Sequence, residues 1–260
     1  MLVRVSAGRV SGRSVAMAGA LLVAGSCNMA TLPDQGPVHP ASLVFSTQPE
    51  YAIAGSPLQP GVAVTVMESN GDTAYYSTAT IQLSIASGYG KPAAHLLGVT
   101  QVAAVSGTAV FPDVAIDSAG IGYRLLASAL ALGGAASDSF DVTAGAPVRL
   151  AFIRQPVSTA AGDTMAAVTV AVQDALGNAP PFAADSVTLV LAAGSGSGVL
   201  GGTAIRRADS GVATFANLSV SAAGTGYVLV ATARGFAPDT SARFNITAGV
   251  PPTPGASRPH

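Results

Sequence analysis

An all-β chain of two tandem β-sandwich domains is the fold class this sequence predicts, and three observations lead there. The first is an internal repeat. Residues 107–145 align without a gap to residues 211–249, with 15 identities over 39 positions. Upstream, LVFSTQP at 43–49 answers LAFIRQP at 150–156, and Ala54-Gly55 answers Ala161-Gly162. Solenoid units recur at roughly 20–50 residues because one unit cannot bury its own face, whereas a unit near one hundred residues closes its own core. The second is period-two alternation of apolar residues in short runs, the pattern of half-buried strands. The third is turn chemistry, with Gly, Asn, Asp and Pro clustered between those runs.

Residues 1–26 predict an export signal. Arg4, Arg9 and Arg13 precede an apolar run at 15–25 that is too short to span a bilayer, which needs about 20 residues. Cys27, the only cysteine of the chain, ends that run. The stretch Val23-Ala24-Gly25-Ser26-Cys27 resembles a bacterial lipobox, in which the cysteine is lipidated and becomes the first mature residue. Ala24 stands where that pattern usually has Leu, and the alternative is an ordinary signal peptide cut after Ser26. Both readings export the chain, and the first anchors it to a membrane through lipid on Cys27. Residues 27–40 lack periodicity and carry three prolines, the composition of a flexible tether.

Repeat one spans residues 41–146. Its alternating positions include Val62/Val64/Val66, Ile81/Leu83/Ile85 and Tyr123/Leu125/Ala127. Repeat two, residues 147–249, echoes them at Val168/Val170/Val172, Val187/Leu189/Leu191 and Tyr227/Leu229/Ala231. About seven such runs fall in each repeat, the number a two-sheet sandwich needs. The turns DALGN at 174–178 and ESNGD at 68–72 place Gly and Asn or Asp where a hairpin needs positive φ. The junction between repeats has few spare residues, which predicts a semi-rigid rod of roughly 60–80 Å. Residues 250–260 (VPPTPGASRPH) form a proline-rich tail with nothing to bury, expected to be disordered.

Tyr123 and Tyr227 each follow a Gly-x-Gly turn and open an alternating strand, which resembles the tyrosine corner of immunoglobulin-like domains. Leu125 and Leu229 stand where antibody domains carry their second cysteine. The string of an Ala-Gly turn, V-x-V-x-V-x-D-x-x-G-N, G-V-A-x-F and G-x-G-Y-x-L-x-A resembles bacterial immunoglobulin-like repeats of the group-1 type, found in invasin- and intimin-like surface proteins. Repeat two matches this string better, and repeat one departs from it at Glu68 through Asp72. The resemblance covers residues 41–249 and implies two tandem immunoglobulin-like β-sandwich domains. The β-barrel that anchors true invasins is absent from this sequence, so the adhesin role is not carried over with the fold.

The chemistry of an enzyme is not in view. Charged residues make up 10% of the chain and Lys91 is the only lysine, so no basic stripe exists to track nucleic acid. From Cys27 onward, 9 Arg and Lys stand against 13 Asp and Glu, a net charge of −4. His39, His95 and His260 lie in tether, loop and terminus, and two of these are segments expected to be mobile, a poor place to hold a general base. The closest acid pairs, Asp113/Asp117 and Asp138/Asp141, fall short of the six to eight oxygens that calcium takes, so no cofactor or metal is expected. The Gly-Ser run at 194–198 lacks the lysine of a phosphate loop and reads as a turn. Arg206-Arg207 reads as a solvated loop, and the sequon patterns at Asn217 and Asn245 as turn and strand residues.

Tyr51, Tyr75 and Tyr89 have no aromatic counterpart in repeat two, so they are candidate binding residues on repeat-one loops; Tyr76 answers Phe182, which fits a core role in both repeats. The expected function is therefore that of a non-enzymatic, lipid-anchored envelope protein, placed at the outer membrane or cell surface. Its tandem domains would act as a stalk or as an adhesion module for a protein or glycan partner. The alternative is an envelope carbohydrate- or ligand-binding protein that uses the repeat-one tyrosines.

Overall fold

The computed structural model describes residues 38–181, 183–192 and 197–249. The export signal, Cys27, the tether as far as residue 37, Phe182, residues 193–196 and the tail at 250–260 lie outside the described residues. Among the described residues every regular element is a strand.

In repeat one, strands Pro40–Thr47, Val62–Glu68 and Thr108–Phe111 pair antiparallel in that order. The facing sheet runs Gln101–Ala103, Thr80–Ile85, Leu125–Ala129, Ala135–Ala136. Just before its strand Leu125–Ala129 in the chain, Gly120–Tyr123 pairs with Phe140–Thr143, to which Tyr51–Ile53 adds in parallel, as a separate three-stranded sheet on the same side. The chain therefore crosses from one sheet to the other between Thr47 and Tyr51. Gln48-Pro49 makes that crossing: Pro49 has no N–H to keep in a ladder, and the Gln48 side-chain oxygen accepts the Asp138 N–H at 3.0 Å.

Repeat two repeats this order. Arg149–Arg154, Val168–Gln173 and Val212–Phe215 form one sheet. Thr159–Ala160, Phe244–Thr247, Gly224–Thr232, Ser186–Ala192 and Ile205–Arg207 form the other, with Thr159–Ala160 again parallel to its neighbour. Gln155 repeats the crossing, accepting the Ala242 N–H at 2.8 Å. Two antiparallel sheets whose first strand is divided between them make each repeat an immunoglobulin-like β-sandwich.

Each repeat has its own core, and the two correspond position by position. Val62, Val64, Val66, Phe111 and Leu125 are fully buried in one, and Val168, Val170, Val172, Phe215 and Leu229 in the other. Alternation explains the choice of residues, since every second side chain of these strands points between the sheets. Tyr123 and Tyr227 form the tyrosine corners. Their hydroxyls donate to the carbonyls of Ser118 at 2.9 Å and Ala222 at 3.2 Å, five residues upstream. Their rings pack at 6.2 and 6.1 Å from Phe140 and Phe244.

A second shared device did not stand out in the sequence. Ser137 and Ser241 are buried, and their hydroxyls accept the N–H of Leu125 and Leu229 at 2.8 and 2.9 Å while donating to the next carbonyl along. Each serine sits in the break between two short strands, Ala135–Ala136 and Phe140–Thr143 in repeat one, Asp239–Thr240 and Phe244–Thr247 in repeat two.

Two readings need correction. Tyr76 is not a core residue; it is 61% exposed. It lies in the turn after the strand end at Glu68, where Ala74 and Ser77 on either side take the buried positions and Tyr76 points outward. Arg206 and Arg207 are exposed as expected, but on the edge strand Ile205–Arg207 and not in a loop. Charged side chains on an edge strand discourage pairing with other chains.

Candidate functional site

The most heavily bonded polar cluster lies where the repeats meet. It is built on the turn 174–178, which follows strand Val168–Gln173. The turn closes as a tight hairpin: Asp174 N–H donates to the Asn178 carbonyl at 2.9 Å and Gly177 N–H to the Asp174 carbonyl at 3.2 Å. Gly177 sits at φ 91°, a conformation that favours glycine.

The side chains of this turn then reach outward. The Asp174 carboxylate accepts the N–H groups of Leu176 and Asn178 at 2.9 and 2.8 Å, and that of Gly145 in the junction at 2.9 Å. Asn178 Nδ2 donates to the Asp174 carboxylate and, at 3.0 Å, to the Asp117 carbonyl of repeat one. Its Oδ1 accepts the Ala119 N–H at 2.8 Å. Leu176 lies against Gly55, so close that a Cβ on that glycine would meet its Cδ1 at 2.6 Å. Asp174 and Asn178 are only 3% and 6% exposed. Buried polar groups must be bonded, and these two bond each other, the junction and the neighbouring repeat.

The receiving loop is itself fixed. Asp117 accepts the His95 N–H at 2.9 Å, pairs with the His95 ring at 3.1 Å and takes the Ser118 hydroxyl at 2.9 Å. Ser118 in turn is the acceptor for the Tyr123 hydroxyl. Burial alone would raise the Asp117 carboxyl, but the N–H and ring of His95 and the Ser118 hydroxyl bring it below its ordinary value. Asp174 behaves in the same way: burial raises it, and the donors from Asn178, Gly145 and Leu176 outweigh that and lower it.

Beside the clamp lies a cleft of about 340 Å³, lined by Ile121, Val142, Ala179, Pro180, Lys91 and Asp141 among others. The loop carrying Tyr89 and Lys91 encloses a second cavity of about 330 Å³. Tyr89 stacks on Arg124, whose guanidinium carbon lies 5.2 Å from the ring centroid. Among the described residues no group of three or more His, Cys, Asp or Glu is placed to hold a metal.

Tyr51, Tyr75 and Tyr89 are all exposed, but the topology does not gather them. Tyr75 follows the end of strand Val62–Glu68 and precedes Thr80–Ile85. Tyr89 follows the far end of Thr80–Ile85, and so lies at the opposite pole of the sandwich. Tyr51 begins the strand Tyr51–Ile53 beside Asp141. Cys27 lies outside the described residues. Sequence reasoning read 174–178 only as a turn. The available signal was that ESNGD at 68–72, the counterpart in repeat one, loses both the aspartate and the asparagine.

No family model matches this sequence, and no curated protein sequence matches it. Among solved structures, the chain is similar to a β-glycosidase from Bacteroides vulgatus, at 13% identity over 80% of this chain and 24% of that one, with a TM-score of 0.36. It is also similar to extracellular domains 3–5 of Drosophila OTK, at 17% identity over 82% of this chain and 68% of that one, TM-score 0.35. A chimeric titin Z1Z2-Z1Z2 tandem matches at 14% identity over 80% of this chain and 100% of that one, TM-score 0.24. The chain thus spans about a quarter of the glycosidase's length, and likenesses of this size carry no functional argument. The class is defined by the strand order and tyrosine corners: a tandem immunoglobulin-like module whose repeats are joined by a polar clamp.

Proposed function

We propose that this chain is a non-enzymatic, exported envelope protein, lipid-anchored through Cys27, whose group-1-type immunoglobulin-like domains serve as a stalk or adhesion module. The clamp is the observation that carries this reading. A short junction alone limits swing, but Asp174 and Asn178 add directed bonds that fix one repeat against the other. Such investment suits a module that must hold a binding surface at a set distance and angle. The buried polar groups at the junction are occupied in holding structure, which supports a role without catalysis. Nitrogen-15 relaxation on the full chain tests the reading: a stalk requires one shared tumbling time for both repeats, and two independent times would overturn it. Protease digestion of the tagged protein on intact cells, with lysed cells as control, tests surface display.

A ligand-binding role is favoured by one observation, the paired cavities around Tyr89 and Lys91. Tyr75 lies at the opposite pole, and of Tyr51 and Tyr89 only Tyr89 lines one of these cavities, so this alternative rests first on Tyr89. Glycan binding abolished by Tyr89→Ser and kept by Tyr75→Ser would support it.

A further inference from the structure

The receiving half of the clamp occurs twice in this chain, and among the described residues only one copy is filled. In repeat one it consists of the Asp117 carbonyl, the Ala119 N–H, the Gly145 N–H and the bare face of Gly55. The repeat alignment places Ser221, Ala223, Gly249 and Gly162 at those positions in repeat two. The loop that presents them is held alike, since Tyr227 donates to the Ala222 carbonyl as Tyr123 does to that of Ser118. It is pinned further by the Ser221 N–H on the Val199 carbonyl at 3.1 Å and the Val199 N–H on the Ser221 hydroxyl at 2.9 Å. Even the junction sequence recurs, TAGAP at 143–147 and TAGVP at 247–251.

The difference is occupancy. A Cβ on Gly55 would strike Leu176, while one on Gly162 would meet no described atom within 4 Å. Ala119 is partly covered, and Ala223 is exposed.

We infer that this far pole of repeat two is a second socket, built to receive an immunoglobulin-like domain that presents an Asp-x-x-Gly-Asn turn. Its chemistry specifies the partner. A carboxylate would take the Gly249 N–H, a side-chain amide would bridge the Ser221 carbonyl and the Ala223 N–H, and an aliphatic side chain would cover Gly162. The chain's own repeat one does not qualify. Its turn keeps the hairpin, with Gly71 at φ 90°, but Asn70 and Asp72 bond each other at 2.9 and 3.0 Å. Two copies of the chain therefore do not stack head to tail through this socket. The inference deepens the stalk-or-adhesion reading by naming the kind of domain that docks next.

The test joins a further copy of residues 146–249 directly after Gly249 of the full chain and follows amide exchange. The Ala223 N–H is expected to exchange at least about tenfold more slowly than in the parent chain, and Asn178→Ala in the added copy alone should restore the parent rate. Unchanged exchange at Ala223, with the added copy's own core amides protected, overturns the inference. Should the added copy fail to fold, the triple variant Glu68→Asp, Asn70→Leu, Asp72→Asn in the original chain decides. That chain should show an Ala223 amide resonance that moves with protein concentration up to about 1 mM, the effective concentration a short linker supplies. A resonance that stays fixed over that range overturns the inference. Neither failure touches the stalk reading, which stands or falls on the clamp already present between the repeats.

Discussion

Asn178 Nδ2 donates to the backbone carbonyl of Asp117 at 3.0 Å, spanning 61 positions of sequence from one repeat to the other. The same amide group turns its oxygen to the Ala119 N–H, so one side chain grips both faces of a single backbone segment. A neutral amide is the residue for this task because it carries a donor and an acceptor on one planar head.

Replacing Asn178 removes both grips at once. Asn178→Ala should speed exchange of the Ala119 N–H and lower stability by about 1–3 kcal/mol, the usual consequence of leaving buried partners unbonded. Asn178→Asp should be worse, because it loses the Nδ2 donor and sets a second carboxylate against Asp174. Urea unfolding followed alongside amide exchange checks the order; an aspartate variant as stable as the wild type would refute it.

The clamp should also weaken in acid. Asp174 and Asp117 both titrate below their ordinary value of 3.8 in the folded chain. A depressed folded value means that folding favours the carboxylate, so this stabilisation is complete above the unfolded value and is lost as pH falls through the folded one. Exchange at Ala119 and Gly145 should therefore be flat above about pH 5 and rise, after correction for intrinsic rates, as pH drops below about 4. Asp174→Asn should flatten much of that dependence, and a profile identical to the wild type would show that the acid response arises elsewhere.

The fold was legible because its signals are local and doubled. Alternation fixes which residues of Val62–Glu68 and Val168–Gln173 face inward, and the Gly-x-Gly-Tyr strings mark both corners. The clamp was not legible, because its bonds join distant segments and half of its partners are backbone atoms. Nothing in the identity of Ala119 or Gly145 announces that its N–H is a binding group. Tyr76 shows the converse limit: a tyrosine aligned with a phenylalanine reads as core, yet it sits in a turn whose buried positions are taken by Ala74 and Ser77. The three candidate tyrosines share a lack of counterparts, but strand direction sends Tyr75 and Tyr89 to opposite poles.

The buried serines Ser137 and Ser241 give a matched pair of tests. Ser137→Ala and Ser241→Ala each leave the buried N–H of Leu125 or Leu229 without its acceptor, which should cost about 1–3 kcal/mol. Equal effects in the two repeats are expected because geometry and burial match. Chemical denaturation of each single variant measures this, and a neutral result in either repeat would mean that the leucine N–H there finds another acceptor.

The tyrosine corner of repeat one should be more sensitive to its lid than to its own hydroxyl. Tyr123→Phe removes the 2.9 Å bond to the Ser118 carbonyl but keeps the ring packed, so a loss of about 1 kcal/mol is expected. Gly90 lies directly over that ring: a Cβ there would fall 2.1 Å from the Tyr123 Cε1, and its φ of 66° disfavours any other residue. The ring cannot yield, because it is fully buried and packed on Phe140. Gly90→Ala must therefore displace the loop that carries Tyr89 and Lys91, costing more than the loss of the hydroxyl and opening the cavity they enclose. Unfolding midpoints of the two variants, with the Tyr89 resonances as a local reporter, decide the comparison. A Gly90→Ala chain more stable than Tyr123→Phe would show that the loop moves aside freely and that the corner is held by its hydrogen bond.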